Sequence, residues 1–231
     1  MNEIKWLWLK SNEYPFPRAV IYGIEAPEYI HELVIPDKIG GMNTILAREA
    51  FVSTAAPIID KVIIPDRIEI LPYAFRGAKI KTVIWPKHHR TIPEGCFMGS
   101  EINELIVNNP DHITSVGNKC FYGCKSLTTL DWPTGCSIVP KECFSHSSLQ
   151  ELRGTEHISI IEDCAFNMSD LSIIPNLSSC RHIGRNSFHN TQIKADMFMD
   201  KYGHIWNEKT IRKAFYNCYE EIKKMKEVSY A

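Results

Sequence analysis

Seven times along this chain a phenylalanine follows a small residue: Ala50-Phe51, Ala74-Phe75, Cys96-Phe97, Cys120-Phe121, Cys143-Phe144, Ala165-Phe166 and Ser187-Phe188. The intervals between successive rings are 24, 22, 24, 23, 22 and 22 residues, a regularity that marks a repeat architecture. Five positions before each ring stands an aliphatic residue: Leu46, Ile70, Ile92, Val116, Val139, Ile161 and Ile183. Five or six positions after it comes another in six units, Ile80, Ile102, Leu127, Leu149, Leu171 and Ile193, while in the stretched first unit Ile58 arrives two positions late. Short β-favouring runs then close several units at a proline, as in "LVIPD", "VIIPD", "TVIWPK" and "TLDWPT". Each period reads as one strand, one turn and one compact return segment.

A unit of this size cannot bury its own apolar face, whereas stacked units form one continuous core between neighbours. Strand side chains alternate in and out. In "KTVIWP", Val83 and Trp85 should therefore point inward and Ile84 outward. The proline that follows stops the strand, since it has no N–H to give to the next ladder.

The phrase "AF-x-G-x-x-x-L/I... I-x-I-P" resembles the BspA-like, or Treponema-type, leucine-rich repeat. Residues 120–133, "CFYGCKSLTTLDWP", and 64–86, "IPDRIEILPYAFRGAKIKTVIWP", are similar to it throughout, and the resemblance runs over about residues 18–193. It implies a leucine-rich repeat solenoid of the α/β-type repeat class, right-handed, with a parallel β-sheet on one face and a general role in protein binding.

Terminal caps must depart from such a pattern, or the core stays open at its ends. At the front, "EIKWLWLK" and "RAVIYGIE" flank the turn-like "SNEYPFP" and predict a β-hairpin cap over residues 1–29. About seven repeats fill 30–193, and 194–231 form a C-terminal cap. There Ile211, Ala214, Phe215, Cys218, Ile222 and Met225 recur at helical spacing after a candidate N-cap at Asn207, predicting an amphipathic helix over about 208–227. Phe215 follows Ala214 but breaks the interval, so it reads as helix and not as an eighth repeat.

The chain has 231 residues, 44% hydrophobic and 23% charged, with a formal charge of -1. That balance supplies no strong field for nucleic acid or an anionic membrane. The longest apolar stretches fall far short of the roughly 20 residues that cross a bilayer, so no membrane insertion is expected. The start "MNEIKWLWLKSNEYPFP" lacks a continuous apolar core and a small-residue cleavage site. With eight cysteines and no export signal, the expectation is a cytoplasmic protein with free thiols, a non-standard export route being left open.

Several residues invite chemistry. Cys120 occupies the slot that Ala50, Ala74 and Ala165 fill elsewhere, so Cys96, Cys120 and Cys143 read as small apolar filler beside the ring. Zinc would need four ligands, and neither Cys120 with Cys124 nor the looser Cys136 with Cys143 makes a tight pair. Cys143 near His146 suggests thiol catalysis, but no orienting group or oxyanion pocket is legible. "PKHHR" (86–90) is the one basic cluster and reads as a solvated turn, without the interleaved aromatics of a nucleic-acid platform. The sequons "NMS" and "NLS" matter only on a secreted protein. No cofactor is implied.

The positions the repeat leaves free carry the functional expectation. Counted by alternation, the outward strand column is Val34, Ile63, Ile84, Ile106, Asp131 and Arg153, with Pro175 next. In the family this column is commonly polar, so four aliphatics in a row are a departure. At about 4.8 Å per rung they would form an apolar stripe running into a charged pair, with Lys61, Thr82, Glu104, Thr129 and Glu151 as a polar rim. β-propensity alone, or cover by the N-terminal hairpin, would explain the stripe without function; a partner site would explain it with one. The favoured function is non-enzymatic binding of a protein or peptide across the strand face. A surface or host-directed adhesin is the alternative, and a thiol- or metal-dependent enzyme the less favoured third.

Overall fold

The structure, a computed structural model, describes residues 4–52 and 57–215. The elements in chain order begin with β1 (Lys5–Ser11), β2 (Arg18–Glu25), β3 (Tyr29–Val34), β4 (Lys38–Ile39), β5 (Met42–Leu46), β6 (Ile58–Ile63), β7 (Glu69–Ile70) and β8 (Ile80–Trp85). They continue with β9 (Thr91–Ile92), β10 (Glu104–Val107), a 3-10 turn (Pro110–His112), β11 (Ser115–Val116), β12 (Thr129–Asp131), β13 (Ile138–Val139) and β14 (Glu151–Arg153). β15 (Ile160–Ile161), β16 (His182–Ile183), α1 (Ala195–Tyr202) and α2 (Glu208–Phe215) complete the chain. This is a leucine-rich repeat solenoid of about seven turns.

The phenylalanines form its spine. Neighbouring rings from Phe51 to Phe188 stack with centroids 5.1 to 5.5 Å apart and planes within 14° of parallel. The small residue before each ring has a backbone reason: the N–H of Phe97 donates to the carbonyl of Cys120 at 2.9 Å, and that of Phe121 to Cys143 at 2.9 Å. The same bond recurs at Phe75, Phe144, Phe166 and Phe188, so the main chains of adjacent turns lie too close for a bulky side chain between them. The ring sits between two left-handed residues. The residue two before it has positive φ in all seven units, from Glu49 at 57° to Asn186 at 56°, and the residue two after it does so from Gly77 at 65° to Asn190 at 54°.

The aliphatic column before the rings is Leu46, Ile70, Ile92, Val116, Val139, Ile161 and Ile183, all buried on β5 and the two-residue strands. Its ladder is interrupted between β7 and β9 and between β11 and β13. The cause is local: the residues after β7, β11, β15 and β16 donate across to the preceding turn, as Gly117 does to the Ile92 carbonyl at 2.8 Å. The corresponding residues after β9 and β13 are Pro93 and Pro140, which have no N–H to give. On the other face, β3, β6, β8 and β10 form one parallel sheet in the order β10-β8-β6-β3, and β12 pairs with β14.

The caps follow the pattern in part. β1 and β2 are antiparallel, as the sequence predicts, and β2 joins the solenoid by pairing in parallel with β5. The C-terminal helix begins where expected: Asn207 Oδ1 accepts from the Thr210 N–H at 3.0 Å. α2 is described to Phe215, so its predicted continuation through Cys218, Ile222 and Met225 lies outside the described residues. α1 was not foreseen, for it has no side-chain N-cap at Lys194 to announce it. Two register expectations are corrected. In the first unit Ile59, paired with Ile80, takes the inward slot, while Ile58 is 39% exposed. Pro175 is not outward but buried beneath Tyr202 of α1, whose hydroxyl donates to its carbonyl at 2.6 Å.

Candidate functional site

Six residues predicted to share the outward column stand where alternation places them, in two blocks. Val34 pairs with Ile63, Ile63 with Ile84 and Ile84 with Ile106, an in-register row across four strands. Val34 is 55% exposed, and the three isoleucines are half-buried by one another. The inward neighbours Leu33, Val62, Val83 and Trp85 are buried. Asp131 pairs with Arg153 in the second block, Arg153 Nε lying 2.9 Å from Asp131 Oδ1. The hairpin extends the face of the short strands through β5, so it does not pair with the sheet that carries the row.

The rim column is also in register: Glu32, Lys61, Thr82 and Glu104 in the first block, Thr129 and Glu151 in the second. Lys61 Nζ holds Glu32 Oε2 at 2.8 Å. A further cluster at the start of the strands was not foreseen. Asp60 accepts from the Tyr29 hydroxyl, Lys81 Nζ lies 2.7 Å from its Oδ1, and His31 Nδ1 lies 3.2 Å from its Oδ2. The Lys81 hydrogen bond, then the Tyr29 one, hold the Asp60 carboxyl down at about 2, and the same contacts push the Tyr29 phenol and the Lys81 ammonium up. These side chains tie three successive turns together across the insertion in the first unit.

Between β10 and β12 the sheet is open. No ladder joins them, and a cleft of about 480 Å³ lies there. Its floor is Leu105, Leu130 and Trp132, and its walls include Ile106, Val107, Asp131 and Arg153. Leu105 occupies an inward position yet is half-buried, because no rung closes over it. The cause lies in the connection after β10. Its 3-10 turn at Pro110–His112 packs under the next turn, with the Gly135 N–H donating to the Pro110 carbonyl at 3.2 Å. A Cβ at Gly135 would stand 2.3 Å from the Asp111 carbonyl oxygen, so this close approach needs glycine.

Among the described cysteines all but Cys164 are buried. Cys96, Cys120 and Cys143 are wholly buried, and burial pushes their thiols well above the ordinary range, which leaves them protonated and poor nucleophiles or ligands. Cys124 Sγ donates to the Phe97 carbonyl at 3.0 Å, and burial pushes its thiol up to about 12. The structure does not pair Cys143 with His146, whose ring lies against Tyr122 at 5.3 Å. Among the described residues no group of three or more His, Cys, Asp or Glu side chains could hold a metal ion. The basic turn at 86–90 is organised by Asp66, which accepts from the Lys87 N–H at 2.6 Å and the His88 N–H at 3.2 Å. No described helix is long and apolar enough to cross a membrane.

The sequence pattern described as a BspA type leucine rich repeat region matches residues 44–110 and 91–223, in six copies. No curated protein sequence matches the chain. Among solved structures, a leucine rich cell surface protein from Faecalibacterium prausnitzii A2-165 is similar over 82% of this chain and 54% of its own, at 22% identity and a TM-score of 0.58. A leucine-rich repeat protein from Bacteroides ovatus ATCC 8483 is similar over 84% of this chain and 57% of its own, at 18% identity and a TM-score of 0.54. At these identities the likeness is one of fold, and the chain spans little more than half the length of either protein.

Proposed function

Because the chain belongs to the BspA-type leucine-rich repeat family, we propose that it is a non-catalytic binding module whose protein or peptide partner lies across the strand face. The observation that carries this reading is the in-register row Val34, Ile63, Ile84 and Ile106, bordered by a polar column and ending at Asp131 and Arg153. An apolar centre with a polar edge is how protein interfaces are commonly built. Strand propensity explains one outward isoleucine, but contiguous apolar surface on a sheet is a liability unless something uses it. No bond is made or broken: buried, protonated thiols support a structural role for the cysteine column.

The reading places the chain in the cytoplasm. It is supported by the seven described cysteines, all free thiols, three of which, Cys96, Cys120 and Cys143, stand in a column suited to packing. A second reading, a surface adhesin, is favoured by one observation, the cell-surface description carried by the similar Faecalibacterium protein. Fractionation with protease treatment of intact cells separates them: protection supports the first, cleavage the second. The strand-face reading itself is tested by capture from native lysate with wild type and an Ile84→Glu, Ile106→Glu double variant. The variant should keep its fold and lose the partner; retention of the partner would contradict the assignment.

A further inference from the structure

The acidic side chains of the strand face are not treated alike. Glu32 is held by Lys61 at 2.8 Å, Asp60 by Lys81 at 2.7 Å and Asp131 by Arg153 at 2.9 Å. Glu104 and Glu151 have no cationic partner among the described residues; Glu104 only accepts from the Thr82 hydroxyl, at 3.4 Å. These two carboxylates share one column on either side of Thr129: Glu104 lines the cleft where the sheet opens between β10 and β12, and Glu151 stands one strand beyond it. The unmatched negative charge of the face therefore lies on the cleft wall at Glu104 and one strand beyond at Glu151, and the cleft stands at the end of the apolar row.

Resting on the strand-face reading above, we infer that the partner is an extended peptide with an apolar run that ends in a basic residue. The run lies along Val34, Ile63, Ile84 and Ile106, and the lysine or arginine enters the cleft. The dimensions suit this. Four rungs at about 4.8 Å span a row of roughly 14 Å, and an extended chain presents same-side residues about every 6.8 Å. Three alternate apolar side chains therefore cover the row, and the next same-side residue reaches the opening. There a long cationic side chain lays its methylenes against Ile106 and Leu130 and its charge beside Glu104, the carboxylate on the cleft wall that no cation holds, with Glu151 adding negative charge one strand beyond. Arg153 offers no equal claim on an acidic residue, since Asp131 already holds its guanidinium.

The test is selection of a random-peptide phage library on the immobilised full chain, repeated on three variants. Wild type should enrich sequences with alternating apolar residues followed by lysine or arginine. Glu104→Gln, and Glu104→Gln with Glu151→Gln, should keep the apolar enrichment and lose the basic preference. Ile84→Asn with Ile106→Asn should lose both, since it removes the apolar row without adding carboxylates that would themselves attract basic peptides. Apolar enrichment without a basic preference, or with an acidic one, overturns this inference and leaves the strand-face reading standing. Enrichment that survives the isoleucine double variant, or no enrichment on wild type, overturns the strand-face reading and this inference with it.

Discussion

Phe188 and Phe215 stack with ring centroids 5.3 Å apart and planes 18° from parallel, although a longer stretch of chain separates them than any earlier pair of the series. The Phe188 N–H donates to the Ala214 carbonyl at 2.9 Å, the bond that the turns from Phe75 to Phe166 make to the small residue before the next ring. Ala214-Phe215 thus fills an eighth position of the spine from within α2. The expectation that Phe215 is helical holds, yet its ring also closes the stack. The added length includes α1 and the turn after it, which seat Phe198, Tyr202 and Trp206 over the last turn.

The spine should behave as a core. Phe121 is buried between Phe97 at 5.5 Å and Phe144 at 5.3 Å, so Phe121→Ala should cost about 3–5 kcal/mol in urea unfolding. A value near zero would mean that the rings do not share one interior.

The turns flanking each ring should be limited by backbone conformation. Gly99 has a φ of 68° and nothing within 4 Å of a Cβ placed on it, so Gly99→Ala tests the left-handed conformation without a packing change. It should destabilise by about 1 kcal/mol. Met168 holds the corresponding place two turns beyond Gly123 with a φ of 57°, and Met168→Gly should be neutral or mildly stabilising. Thermal unfolding of both variants checks the pair; loss of stability in the second alone would refute it.

Acid should weaken the fold through His89. It stands three positions before Ile92, as the buried Ile113, Cys136, Ile158 and Cys180 stand before their own short-strand aliphatics, and its ring meets Trp85 edge-on at 6.1 Å. Burial, partly opposed by hydrogen bonding to the Ile68 backbone and by the Asp66 charge, pushes its imidazole below the usual 6.5. The unfolded chain then binds the proton more readily than the folded one. This contribution is full above about pH 6.5 and is lost as pH falls from there toward the depressed folded value. His89→Ile should flatten that part of the profile in urea titrations; an unchanged profile would assign the acid sensitivity elsewhere.

What the sequence made legible follows from the spacing of its constraints. A ring needing a small neighbour and an aliphatic five positions earlier repeats so tightly that architecture and inward columns could be read directly, whereas the left-handed residues beside the ring, as varied as Glu49, Tyr73 and Lys119, could not. Alternation from Val83 and Trp85 likewise placed Ile84 outward. The cleft was harder to see. Its one signal was the longer interval from Ile106 to Asp131 around "NNPDH", and no local rule says whether an insertion bulges outward or, as at Pro110 and Gly135, wedges two strands apart. The Asp60 cluster was missed because its members come from three turns and meet only after the first, irregular unit closes. α1 carried neither a cap nor a clear apolar stripe.

The strand face is tested most directly by hydroxyl-radical footprinting of the chain alone and with its captured partner bound. Oxidation of Val34, Ile63, Ile84 and Ile106 should fall on binding, while the exposed Leu9 and Phe16 of the hairpin stay as reactive as before. Protection of the hairpin, with those four side chains unchanged, would contradict the account.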